Sequence, residues 1–232
     1  MPATSKLKHK FLVANRIAAR TAYKLLGGVN RSLQPQQLFS IKAGYHHAAS
    51  VESFDDTVNT DEWQQKVYEL AATEASKLNN PTIIDVGCGS GYKLIHQLGQ
   101  YHTTGIEVEP THSWLCRQYP GRKWISFEKA NPSTLQADIV ICSDVIEHIK
   151  NPDDMMNFLS AIQFRYLIIS TPERDIIRGK ADYGPPENVA HYREWNAAEF
   201  KDYVERWFEV KQQVVVEDKS ISQVVVCTKA KS

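Results

Sequence analysis

Three glycines at alternate positions, Gly87, Gly89 and Gly91, follow directly on a short apolar run at Thr82–Val86 and lead into a helical pattern from Tyr92. Such a junction constrains the chain strongly. Glycine lets the backbone turn sharply and lets a ligand reach the main chain with no Cβ in the way. A buried strand, a glycine turn and a helix N-terminus together make the ligand-binding opening of an open α/β sheet.

The chain around this turn repeats the alternation. Strand patterns at His102–Val108, Lys123–Phe127, Ala137–Cys142 and Tyr166–Ser170 are interleaved with helical ones at Tyr92–Leu98, Ser113–Gln118 and Pro152–Ile162. A further helix is expected over Ala197–Trp207, then strands at Phe208–Val216 and Ile221–Thr228. Apolar strands without polar alternation, separated by helices, predict a parallel sheet covered on both faces. The last two strands are joined only by Glu217–Ser220, a hairpin length, so one of them should run antiparallel. Before the sheet, Thr60-Asp61-Glu62 looks like the start of a helix running to about Leu78, which Asn79-Asn80-Pro81 ends.

The spacing of the turn is GxGxG, and Asp85 stands two residues before its first glycine. An anion there is unwelcoming to pyrophosphate but suits a ligand with a positive sulfonium and an amino group. Glu107 closes the second strand, where a carboxylate can accept from both hydroxyls of a ribose. Ser143 and Asp144 close the fourth, at the carboxyl edge where such sheets bind ligands. The expected cofactor residues are therefore Asp85, Gly87, Cys88, Gly89, Gly91, Glu107, Ser143 and Asp144.

Asp85–Gly91 resembles the first motif of the class I S-adenosylmethionine (SAM) dependent methyltransferases, and Ser143-Asp144-Val145-Ile146-Glu147-His148 is similar to the segment that follows their fourth strand. The resemblance covers roughly residues 60–230. It implies a Rossmann-like α/β fold with a seven-stranded, mostly parallel sheet of order 3-2-1-4-5-7-6, strand seven antiparallel, and SAM as cofactor. Residues 59–232 would form this domain and residues 1–58 a basic N-terminal helical extension. Many relatives hold adenine with an Asp after strand three, where this chain offers Glu128, Ala130 and Asn131.

The acceptor should meet the loops after strands four and five. Asp144, Glu147 and His148 have the spacing of one helix face, which makes His148 a general-base candidate or a metal ligand beside the carboxylates. The long loop Thr171–Trp195 supplies His191 as a second base and Arg174, Arg178, Tyr183 and Arg193 as substrate contacts. Pro172-Glu173-Arg174-Asp175 and His191-Tyr192-Arg193-Glu194-Trp195, with Phe54-Asp55-Asp56, resemble bacterial methyltransferases associated with surface glycans. That resemblance implies O-methylation of a carbohydrate or glycan precursor. A second resemblance is to small-RNA 2′-O-methyltransferases, whose metal site Asp144, Glu147, His148 and His191 imitate. A small-metabolite acceptor, or a non-catalytic SAM-binding partner protein, are further readings.

Charge is uneven along the chain. Residues 1–51 carry eight Lys or Arg and no acid, while the remainder holds 19 basic and 27 acidic residues. An acidic body is a poor general surface for nucleic acid, so any polyanion contact falls to the N-terminal arm. There, His9–Leu26 reads as a helix stopped by Gly27-Gly28, with Phe11, Ala14, Ala18, Ala22 and Leu25 on an apolar face and Arg16, Arg20 and Lys24 on a basic one. Such a helix can pack on its own domain, dock on a partner or lie on a membrane surface. No apolar run reaches the roughly 18 residues of a membrane span, and four scattered cysteines read as reduced thiols of a cytoplasmic protein.

Overall fold

The structure, a computed structural model, describes residues 3–33, 37–53, 55–58 and 63–230. Its centre is one seven-stranded sheet of order β3-β2-β1-β4-β5-β7-β6. The strands are β1 (Thr82–Val86), β2 (His102–Glu107), β3 (Lys123–Ser126), β4 (Gln136–Ser143), β5 (Gln163–Pro172), β6 (Phe208–Glu217) and β7 (Ile221–Lys229). The first five pair in parallel, and β7 is antiparallel to both β5 and β6. Order and direction match the sequence expectation.

Helices α3 (Gln65–Ser76), α4 (Tyr92–His96) and α5 (Thr111–Gln118) cover one face. Val67, Tyr68, Ala71 and Ala75 of α3 pack there against Ile83, Ile139, Ile141 and Ile168 of the strands. Helices α6 (Pro152–Ala161) and α8 (Ala197–Val204) cover the other, with Met155, Met156, Leu159, Phe200 and Tyr203 against Ile84, Val86, Val140 and Ile169. Successive strand residues thus feed opposite cores, as the pleat requires. Each buried large apolar side chain contributes about 1.5–3 kcal/mol. The predicted start of α3 at Thr60-Asp61-Glu62 lies outside the described residues.

The N-terminal arm departs from its expected pattern. Helix α1 spans Ala3–Leu25, and the glycines do not stop the chain: Gly27–Leu33 forms a second short helix, α2. The face expected to pack is open, with Phe11 68% and Leu25 81% exposed, whereas Arg16 is only 4% exposed. Arg16 donates to the carbonyls of Ser50 (2.8 Å), Pro186 (3.2 Å) and Val189 (3.2 Å), and also to that of Asn188. Arg20 binds Asp182 at 2.5 Å. A weak alanine-rich stripe loses to a guanidinium fork that gathers several loop carbonyls at once. Helix α1 therefore packs on its own domain through its basic side. No helix among the described residues is long and apolar enough to cross a membrane.

Candidate active site

Strand β1 delivers Asp85 fully buried to the glycine turn. Its Oδ2 accepts from the Tyr68 hydroxyl at 2.7 Å, and its Oδ1 is buried with no partner. Burial pushes this carboxyl up to about 7, against the hydrogen bond from Tyr68 and the charge of Lys93. Gly87 sits at φ 78, and a Cβ on it would meet Val145 Cγ2 at 2.5 Å, so the turn closes against the segment after β4 only with glycine there. Gly89 and Gly91 are also at positive φ, Gly91 as the N-cap of α4. Cys88 is buried, and burial raises its thiol well above the usual range, so it is an inert lining group.

Glu107 closes β2 beside this turn, accepting from Gly89 N at 2.8 Å and Val108 N at 2.7 Å. Burial raises it to about 7 in spite of both bonds. A carboxylate has about four acceptor sites, so two remain for a diol. An orphaned buried anion, an open glycine cradle and a facing carboxylate fit SAM, whose sulfonium and ammonium are cationic and whose ribose is a donor. One residue was not expected at the cofactor end: Asp56, whose Cβ lies 3.2 Å from where a Gly89 Cβ would stand, covers the cradle from the segment before α3. Nothing local in its sequence signals a contact across so many residues.

Past β4 the chain does not form the expected helix face. Asp144 takes φ 51, and only Ile146–His148 makes a 3₁₀ turn. The Asp144 carboxylate swings to the sheet, accepting from Ser170 Oγ at 2.6 Å and Ser222 Oγ at 3.0 Å. Ser143 Oγ bonds Ser170 Oγ at 3.0 Å. Asp144 is thereby separated from the other three residues of the imitated metal set.

Those three converge. Metal-ligating atoms of Glu147, His148 and His191 lie within 4.8 Å of one another, and the two rings meet edge to face at 4.7 Å. Their hydrogen bonds settle the tautomers. His148 Nδ1 donates to Ala190 O at 2.9 Å, leaving the Nε2 lone pair toward Glu147. Asn188 Oδ1 takes the Ala190 N–H, so its amide nitrogen donates to His191 Nε2 at 3.0 Å, and His191 Nδ1 donates to Glu194 at 2.8 Å. His191 is thus committed at both nitrogens. Glu147 is fully buried; Oε2 accepts from Thr171 at 3.0 Å and Oε1 has no partner. Two uncommitted donor atoms do not fit a hard dication that takes six or more oxygens.

Burial, with His191 beside it, pulls His148 down to about 4. Burial, with Asp144 nearby, drives Glu147 well above the carboxylate range. Their 4.0 Å separation counts geometrically as an ion pair, but it exceeds a hydrogen bond and both groups favour neutrality. Burial thus works against an ion pair here, pulling His148 down and pushing Glu147 up.

Three of the four expected substrate contacts turn out to hold the loop itself. Arg174 is fully buried, and its five N–H groups all have acceptors on Asp175, Glu194 O and Glu199. Arg193 donates to the carbonyls of Ile149 and Lys150, each at 2.6 Å, pinning the turn that carries His148. The Tyr183 hydroxyl accepts from Arg31 Nε and Nη2 at 2.9 and 2.6 Å. Arg178, on the short helix α7 (Arg174–Arg178), is the exception and faces α1.

A family model described as a methyltransferase domain matches residues 57–209. The chain belongs to this methyltransferase-domain family. The 4+2 cyclase SpnF shares its fold over 92% of this chain and 96% of its own, at TM-score 0.57 and 13% identity. The Burkholderia thailandensis 1,6-didemethyltoxoflavin-N1-methyltransferase, with S-adenosylhomocysteine bound, covers 74% of this chain and 80% of its own at TM-score 0.55 and 19% identity. Such likenesses show the fold. Among curated relatives, one from Actinobacillus succinogenes is 26% identical over 171 residues, 66% of this chain and 52% of its own. It is named tRNA U34 carboxymethyltransferase, and the methyltransferase domain spans about half the length of such relatives.

These relatives are named for a tRNA base, which corrects the expectations of a glycan acceptor and of little contact with nucleic acid. The glycan reading rested on the resemblance of Pro172–Asp175, His191–Trp195 and Phe54–Asp56 to glycan-associated methyltransferases, and within those segments Arg174 and Arg193 are buried in loop packing. The exclusion of nucleic acid leaned on the acidic balance of residues 52–232, 19 basic against 27 acidic, and left only the N-terminal arm for a polyanion.

Proposed function

We propose that this methyltransferase transfers a methyl group from SAM to an RNA acceptor, with tRNA the first substrate to test. The observation that carries the RNA reading is the seating of α1 on the acceptor loop. Arg16 bonds the carbonyls of Pro186, Asn188 and Val189 and approaches that of His191 at 3.4 Å, so the chain's acid-free basic segment borders the loop that holds the base. Relatives named for tRNA support the same class.

SAM supplies an electrophilic methyl whose sulfonium charge is lost on transfer. Around it, Glu107 would accept from the ribose hydroxyls, Asp85 would balance the ammonium charge, and Gly87 and Gly89 would let the ligand approach the backbone. In-line displacement needs alignment and exclusion of water more than covalent help. An N–H or O–H acceptor must also lose a proton, and His148 Nε2, held by Ala190 O on its other nitrogen, is the lone pair placed to take it. His191 positions this base through ring contact and through the Asn188–Ala190 turn. The hydroxyl subtype expected from sequence remains one form of this chemistry; a base nitrogen is the other.

Methyl-labelled SAM incubated with size-fractionated RNA, with and without a chelator, tests the reading. Label in the tRNA fraction that survives chelator supports it. Label lost on chelation would return metal to the Glu147–His148–His191 cluster, and an unlabelled RNA pool from protein that binds SAM would remove the RNA acceptor.

A further inference from the structure

Outside the site just described, α1 and the loop after α7 enclose a cleft of about 270 Å3. Arg20, Thr21 and Lys24 line it from the helix, and Arg178, Asp182 and Glu187 from the loop. Three cations thus meet two carboxylates. Arg20 is fixed by Asp182 at 2.5 Å and reaches Glu187 at 3.4 Å, while Arg178 binds the same Glu187. Lys24 makes no ion pair or hydrogen bond among the described residues. Arg178 Nε is buried and has no acceptor among the described residues.

This arrangement is unsatisfied toward anions. A buried guanidinium N–H without a partner is costly, and a planar fork beside an ammonium matches phosphate oxygens. Glu187 is about half exposed, at 48%, so it can swing to water and release Arg178 to another anion. The cleft also shares a wall with the acceptor site. Glu187 lines the cleft, the next residue, Asn188, bonds His191, and the charges of Arg178 and Arg20 reach Glu194, the carboxylate that orients His191.

We infer that this cleft binds a backbone phosphate of the acceptor RNA, with Lys24 and Arg178 as its ligands and Arg20 held ready beside them by Asp182. The inference rests on the RNA reading above. It gives that reading a mechanism of positioning: the phosphate is gripped on one side of residues 187–191 while the reacting group meets His148 on the other.

Filter binding of labelled tRNA to the full chain, repeated across a range of salt concentrations, tests it. Lys24 is exposed and has no ion pair or hydrogen bond among the described residues, so its variants should fold. Lys24→Glu should weaken binding roughly tenfold or more, and Lys24→Ala should lower the salt slope by about one. SAM affinity should not change, and Lys201→Ala on remote α8 should leave tRNA binding as it was. Glu187→Gln, which removes the competing carboxylate, should tighten binding several-fold. Wild-type affinity and slope in both Lys24 variants would overturn the cleft while leaving the RNA reading intact, provided wild type binds and labels tRNA. Wild-type protein that neither binds nor labels RNA overturns both.

Discussion

His148 Nε2 faces Glu147 Oε1 across 4.0 Å, and burial moves both groups toward their neutral forms. His148, at about 4, is neutral near pH 7 and keeps its Nε2 lone pair open to a proton. In His148→Ala, kcat should fall roughly a hundred- to ten-thousand-fold with SAM affinity unchanged. Because His148 lies at about 4, it stays deprotonated down to that pH. The acid limb of kcat/KM assigned to it should therefore lie near 4, well below the usual 6.5 of histidine. A limb near 6.5 that vanishes in the alanine variant would contradict this.

The cofactor end behaves in the opposite sense. Asp85 and Glu107 both titrate at about 7 in the free protein, held up by burial. A cationic ligand with ribose donors favours their ionised forms, so SAM should bind more tightly as pH rises through 7 and weaken as it falls. Binding at pH 7 should release protons. Calorimetry in buffers of different ionisation enthalpy reads this directly, and binding without proton release would show that the carboxyls are already charged. Glu107→Gln should cost about 10- to 100-fold in SAM affinity, the scale of a charge-assisted hydrogen bond.

Arg174 and Glu199 form a buried pair with contacts of 2.7 and 3.0 Å. Arg174→Met leaves Glu199 uncompensated and should destabilise the fold by about 3–5 kcal/mol. At this size that is a Tm loss of roughly ten degrees. A variant with unchanged Tm and raised acceptor KM would restore Arg174 as a substrate contact.

Arg16→Met should uncouple α1 from the acceptor loop. Loss of several charge-assisted bonds corresponds to about 2–4 kcal/mol locally. Amide exchange over residues 6–25 should accelerate while β1, β4 and β5 keep their protection. Unchanged exchange in α1 would mean that other contacts hold it.

The sheet was legible because buried parallel strands are written as continuous apolar runs and the glycine turn carries its own geometry. Glu107 was legible by its distance from Gly87. Other features depend on partners far along the chain. Arg16 packs inward because Ser50, Pro186, Asn188 and Val189 present carbonyls to it, and Asp56 reaches Gly89 from a segment whose sequence gives no sign of the glycine turn. Asp144 left the expected helix face by entering the left-handed region, where Ser170 and Ser222 capture its carboxylate. Periodicity describes a helix that never forms there. Arg193 and Tyr183 looked like ligand contacts because the same polar side chains hold loops and hold ligands.

The most direct test of the central claim is nucleoside mass spectrometry of tRNA treated with SAM and either wild-type protein or His148→Ala. The account predicts one nucleoside carrying a methyl increment with wild type and its loss in the variant, with tRNA and SAM binding retained. A wild-type reaction that modifies no nucleoside, or a variant that matches wild type, would contradict it.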